Sequence, residues 1–369
     1  MGHVLLLLGC AVVIYLACEW FINAVEWLGA RLQVGSVAVG SVLAAVGTAL
    51  PESVVTLVAV VFGGTPATDD IAVGAAMGGP LVVGTLAYGV TGAMLLTRRS
   101  QRTPVNRTAD ASVLPPAHPN AEPNDQPNGV PGGPDDGSTS LEGLEVADVR
   151  RLARDQTWFI AIFVVKVGLG LVAFAVKPWL GLLFFAAYGV YFWREMSADG
   201  ARATHEDLEP LKLQPHTSSP ATWAVVVQTL ITLAVIFGAS QLFVHQLEWA
   251  GPALGLSPVV TALLLSPIAT ELPEVMNAII WVRQGKTRLA LANISGAMMI
   301  QATIPSGIGL LGTQWRFDTP LILAGAATLA SVIYLLTLFR THRIRPLTLT
   351  LAGIFYLAFA AALTITLTY

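Results

Sequence analysis

A stretch of this chain is written twice. NAVEWLGARLQVGSVAVGSVLAAVGTALPES at 23–53 recurs as HQLEWAGPALGLSPVVTALLLSPIATELPEV at 245–275. Glu26-Trp27 is matched by Glu248-Trp249, Thr48 by Thr270, and Leu50-Pro51-Glu52 by Leu272-Pro273-Glu274, all at one constant offset. An internal repeat constrains architecture more than local propensity does, because both copies call for the same local fold. Each copy is apolar for most of its length and then presents a Pro-Glu pair, so the repeat places a carboxylate inside hydrophobic structure.

Composition identifies the surroundings. Of 369 residues, 54% are hydrophobic and 12% charged, whereas an ordinary soluble domain carries charge on roughly a quarter of its residues. The surplus apolar surface calls for lipid. A spanning helix takes about 20 apolar residues, and ten candidate segments are legible, at 4–28, 35–62, 70–97, 157–176, 178–194, 222–247, 256–282, 288–312, 318–340 and 346–367. The expected fold is an all-α integral membrane protein of ten transmembrane helices. Five helices precede the second copy's first helix, and an odd number inverts it, which gives two inverted five-helix repeats. That is the plan of secondary transporters, whose sites form near the bilayer midplane from broken helices. The expected division is 1–97 for helices 1–3 with the first motif, 98–156 for a cytoplasmic linker, and 157–195 for helices 4–5. A second cytoplasmic loop follows at 196–220, and the second repeat fills 221–369.

Loops retained in the cytoplasm carry the excess of Lys and Arg. One side holds Arg31, Arg98, Arg99, Arg102, Arg107, Arg150, Arg151, Arg154, Arg194, Arg202 and Lys212, then Arg283, Lys286, Arg288, Arg340, Arg343 and Arg345; the other holds only Lys177 and Arg316. Both termini are thus expected outside the plasma (inner) membrane. The first segment lacks a basic leader region and a clean small-residue cleavage site, and reads as a retained helix. Residues 103–140, rich in Pro, Asn, Asp and Gly, cannot bury enough apolar surface to offset their ordering entropy. They read as a disordered spacer, with a regulatory role as the second reading, and 141–155 as a short amphipathic stretch after it. His205, Glu206, Asp207, Glu209 and His216 read as a solvated polar loop, with metal sensing as the alternative. Cys10 and Cys18, about 12 Å apart on one helix, are too distant for a disulfide and read as packing residues. A net charge of −3 points to no nucleic-acid partner.

The Pro-Glu pair carries the chemistry. Proline within a helix removes one backbone hydrogen bond and clashes with the preceding turn, so each copy should kink or open there. In lipid the freed carbonyl needs a partner, and a cation is one. Thr48 and Thr270 lie one turn before Glu52 and Glu274 on the same helical face. An ionised acid near the centre of a span costs about 2.5–3.5 kcal/mol on insertion scales, so these acids need a partner or a function. Glu271 adds a third acid where the first copy has Ala49. Calcium takes about 6–8 oxygens, often through bidentate carboxylates, and the glutamates, threonine hydroxyls and freed carbonyls approach that number.

GTALPE at 47–52 and ATELPE at 269–274 resemble the two signature motifs of the sodium/calcium exchanger family, usually written GTSLPE, and the similarity extends over about 15–97 and 235–312. The resemblance implies the family fold and ligand roles for Thr48, Glu52, Thr270 and Glu274. Family members follow each motif with a helix reading roughly GNxxGSN or GNxxGSD. Here those stretches are GAAMGGP at 74–80 and ANISGAM at 292–298, which keep Asn293 but place Pro80 and Met298 at the final ligand positions. Soft sulfur is a poor ligand for a hard cation, and the departure leads to the expectation that a proton gradient drives flux at least as well as a sodium gradient. The candidate metal ligands are therefore Thr48, Glu52, Thr270, Glu271, Glu274 and Asn293.

Lys166 lies within the fourth segment and has two readings: it snorkels to the interface, or its ammonium pairs with a motif glutamate in place of a bound sodium ion. His245 stands where the other copy has Asn23 and either packs at the interface or relays protons. Glu26 and Glu248, beside Trp27 and Trp249, read as interfacial anchors. The expected activity is cation antiport, exchanging calcium or a related cation against sodium or protons by alternating access. A proton-coupled exchanger without sodium sites and a non-transporting membrane scaffold are the alternatives. An intramembrane enzyme is disfavoured, since HExxH, GxSG and GxGD motifs are missing from the sequence. The lipid bilayer and inorganic cations are the expected partners; no cofactor is expected, and the oligomeric state is open.

Overall fold

The structure, a computed structural model, describes residues 2–62, 66–102, 144–172, 176–197, 208–253, 264 and 266–368. The 103–140 spacer and His205, Glu206 and Asp207 lie outside the described residues, as does the start of the 256–282 segment. Most of what is described is helical.

The first copy comprises α1 (Gly2–Arg31), a π-helical turn at Val39–Ala44 and α2 (Ala45–Phe62). Next come α3 (Pro66–Val82), a second π turn at Val83–Ala87 and α4 (Tyr88–Arg102), then α5 (Val146–Leu171) and α6 (Gly181–Ser197). The second half holds α7 (Thr222–Ala253), α8 (Ser266–Thr270), α9 (Leu272–Gln284), α10 (Thr287–Gly312), α11 (Thr319–Arg340), α12 (Pro346–Thr350) and α13 (Gly353–Thr368).

Six helices among the described residues are long and apolar enough to cross a membrane: Leu5–Arg31, Ala72–Arg98, Thr222–Phe243, Thr287–Gly312, Thr319–Arg340 and Pro346–Thr366. The bent pair Val39–Ala49 and Glu52–Phe62 makes a seventh span if taken as one. The expected ten exceed this count for physical reasons. Helix α5 carries Asp155 and Lys166, α6 has only 17 residues, and the α8–α9 segment is interrupted at Glu271.

Helix α10 is the hub, packing on α2, α3, α5, α6, α9 and the first π turn, while α1 and α7 run along each other at the periphery. Glycines let the two halves approach. A Cβ at Gly296 of α10 would collide with the Ser41 backbone, and one at Gly78 of α3 would sit 2.5 Å from Pro267 Cγ. Each motif segment is thus gripped by the helix that follows the other copy.

Three sequence expectations change. Residues 146–155 are the first turns of α5 rather than a separate stretch, because their charges are paired: Arg288 binds Asp148 at 2.8 Å, and Arg151 and Arg154 both bind Glu195 of α6. The loop at 208–213 is docked on the helices: Leu211 is buried, Trp27 Nε1 donates to the Glu209 carbonyl at 2.9 Å, and Lys212 N donates to Asn23 Oδ1 at 3.0 Å. Glu26 is buried and accepts from Trp281 Nε1 at 2.9 Å and from Lys286 Nζ at 2.6 Å, so it ties α1 to the α9–α10 connection. Cys10 and Cys18 are buried free thiols.

Candidate cation site

The two Pro-Glu pairs perturb their helices differently. In the first copy the axis bends by 45° between Val39–Ala49 and Glu52–Phe62. In the second, α8 stops at Thr270, Glu271 occupies a non-helical conformation (φ −89°, ψ 3°), and α9 restarts with Pro273 in its first turn. There the missing N–H costs nothing, since first-turn donors have no intrahelical acceptor. The first copy's helix is bent at its acid and the second copy's is interrupted there.

Glu52, Glu271 and Glu274 are all buried. Among the described residues, Glu52 Oε2, Glu271 Oε1 and both carboxylate oxygens of Glu274 have no hydrogen-bond partner. The amide oxygens of Asn277, Asn293 and Gln301 are in the same condition. Buried polar atoms are ordinarily hydrogen-bonded, so this cluster of unpaired oxygens marks a candidate site.

The threonines sharpen that conclusion. Thr48 faces the Glu274 carboxylate, and Thr270 faces that of Glu52, so each hydroxyl serves the acid of the other copy. Yet the Thr48 hydroxyl donates to the Ala44 carbonyl at 3.0 Å, and that of Thr270 to the Pro267 carbonyl at 3.2 Å. Each hydroxyl thus has two oxygens in reach, a carbonyl of its own helix and the carboxylate of the other copy, and its lone pairs remain available to a cation. Glu271 also meets Glu52, and two touching carboxylates call for a shared proton or a metal.

The remaining candidates divide. Asn293 is fully buried, with Nδ2 donating to the Glu274 carbonyl at 3.4 Å and Oδ1 unpaired. Lys166 is fully buried rather than snorkelling, with Glu52 as its electrostatic partner. His245 is exposed on α7. The side chain of Glu248 lies outside what the structure describes.

Two residues escaped the sequence reading. Gln301 donates through Nε2 to Glu271 Oε2, and Asn277, one turn beyond Glu274, is buried with both amide atoms unpaired. Their only signal was an amide inside an apolar run. Gly79 brings the α3 backbone alongside: a Cβ there would lie 2.9 Å from Glu271 Oε1 and 3.1 Å from Gln301 Cδ.

Among the described residues, no three His, Cys, Asp or Glu side chains gather closely enough to hold a metal alone. A cation here would have to combine carboxylates with hydroxyl, amide and carbonyl oxygens. That donor set is hard and oxygen-only, which suits calcium or sodium and excludes soft metals.

The family model described as "Sodium/calcium exchanger protein" matches residues 2–114 and 224–368. CaxA of Alkalimonas amylolytica, provisionally described as an antiporter, is 29% identical over 171 residues, covering 44% of this chain and 51% of that protein. The aligned region thus spans about half the length of that relative. The sodium-calcium exchanger NCX_Mj, in a structure soaked with sodium and calcium, superimposes with a TM-score of 0.67 at 15% identity over 98% of this chain and 99% of that one. Its structure soaked with sodium and strontium gives 0.68 at 15% identity, covering 98% of each chain. At such identity the likeness concerns the fold.

Proposed function

The chain belongs to the sodium/calcium exchanger protein family, and from that membership we propose that it is a secondary active cation antiporter, exchanging calcium or a related cation against sodium or protons by alternating access. It is an integral, multi-pass membrane protein. The observation that carries the reading is the set of buried, unpaired oxygens on Glu52, Glu271 and Glu274. With Thr48, Thr270 and Asn293 they form the ligand set, and the cation is cargo rather than a resident cofactor. The provisional antiporter description of CaxA supports the transport class. The two copies form inverted five-helix repeats, ten spans in all, with both termini outside and residues 98–156 in the cytoplasm. The crossed packing of Gly78 and Gly296 on the opposite motif segments supports that pairing.

The coupling ion is proposed to be the proton. The contact between Glu52 and Glu271 supports it, because a proton shared between them can replace a departing metal. Calcium flux into proteoliposomes, first with a pH gradient and no sodium, then with sodium and no pH gradient, tests both statements. Flux driven by the pH gradient supports proton coupling. Flux that requires sodium and ignores pH overturns it while leaving antiport intact, and no flux under either gradient overturns antiport.

A further inference from the structure

Pro80 stands inside α3 and has no N–H to give to the carbonyl four residues back, that of Ala76. An interior proline costs a helix about 3 kcal/mol, in part through that lost bond. The Ala76 carbonyl is not left alone. Lys166 Nζ, fully buried on α5, lies 2.6 Å from it, above the Phe163 ring at 5.0 Å. One residue frees a carbonyl and another, distant in sequence, fills it with a positive charge.

A second buried lysine shows what a purely structural role looks like. Lys177 Nζ donates to the Leu169, Val172 and Trp315 carbonyls at 3.1, 2.8 and 3.0 Å, which uses all three donors to close the end of α5. Lys166 makes one such bond among the described residues, and its opposite charge is Glu52, an acid of the cation site. The seat holding the ammonium is a freed carbonyl one turn before Gly79, which abuts Glu271, and Glu52 acts on it electrostatically; a monovalent cation could use the same oxygen.

We propose that Lys166 is a tethered cation occupying one monovalent position of the cation site, so that the protein dispenses with an inorganic ion there. The proposal deepens the antiport reading by fixing what that site need not bind, and it rests on that reading only for its transport consequence. It can therefore be tested by binding, without transport.

The experiment follows thermal unfolding of the purified full chain in detergent, with sodium chloride or choline chloride at equal ionic strength, for wild type, Lys166→Met and Lys166→Arg. Met keeps the volume and removes the charge; Arg keeps the charge. Wild type and Lys166→Arg should respond to sodium alike, and less than Lys166→Met. Lys166→Met should be destabilised in choline and recover by a few degrees in sodium, as a ligand bound only by the folded state stabilises it. An equal loss in both salts, or a sodium response no larger in Lys166→Met than in wild type, overturns the proposal. Should Lys166→Met give no folded protein in either salt, Pro80→Ala with Lys166→Met decides. The Pro80→Ala change would return a donor to the Ala76 carbonyl and leave only Glu52 uncompensated, so a weaker sodium response is expected, and no response overturns the idea. If the protein proves not to transport calcium, the binding result still stands or falls by itself.

Discussion

Thr48, in the first copy of the motif, faces the carboxylate of Glu274, in the second, while its hydroxyl also lies 3.0 Å from the Ala44 carbonyl. Thr270 stands in the same relation to Glu52. The proposed site is therefore shared between the copies, and relative movement of the two halves would change its geometry. That is the property alternating access requires.

Replacing either threonine by valine keeps its shape and removes one oxygen. The backbone carbonyl each hydroxyl serves already belongs to a helix, so stability should change little. Calcium should bind roughly tenfold more weakly, the factor that about 1.4 kcal/mol of lost ligand energy gives. A raised KM for calcium uptake at unchanged expression is the expected result for Thr48→Val and Thr270→Val.

Gly79→Ala should act through its neighbours. The new methyl would sit 2.9 Å from Glu271 Oε1 and against the Gln301 amide, so it displaces those ends without entering packed backbone. Folding should survive while transport falls severalfold. Gln301→Leu removes the donor to Glu271 and should give the same phenotype. Normal flux with both substitutions would remove Glu271 from the site.

Much of this was legible in advance, and the reasons for the failures are specific. Glu52 and Glu274 stood out because a proline and a carboxylate recur together inside apolar sequence. Gln301 and Asn277 have no counterpart in the other copy, so nothing marked them beyond polarity. The partner of Lys166 is a backbone carbonyl on another helix, exposed by a proline whose effect on Ala76 is local, and sequence shows neither the approach nor the direction. The start of α5 was misread because Asp148, Arg151 and Asp155 look solvated. In the fold they meet Arg288, Glu195 and Ser295, the last donating to Asp155 at 3.1 Å.

Topology has its own test. Asp70 lies in α3 near its start, and Thr108 falls in the linker. Engineered cysteines at the two positions should label from opposite sides, Asp70 from outside and Thr108 from the cytoplasm. Labelling of the Thr108 position from outside in intact cells would invert or break the proposed arrangement.

The central claim is that the two motif glutamates bind the transported cation. Calcium uptake into proteoliposomes carrying wild type, Glu52→Gln or Glu274→Gln at matched protein density measures it most directly. Glutamine keeps the size of each side chain and removes its charge, so each variant should remain folded and lose uptake entirely, because neither copy's ligands suffice alone. Full uptake by either variant would contradict the account.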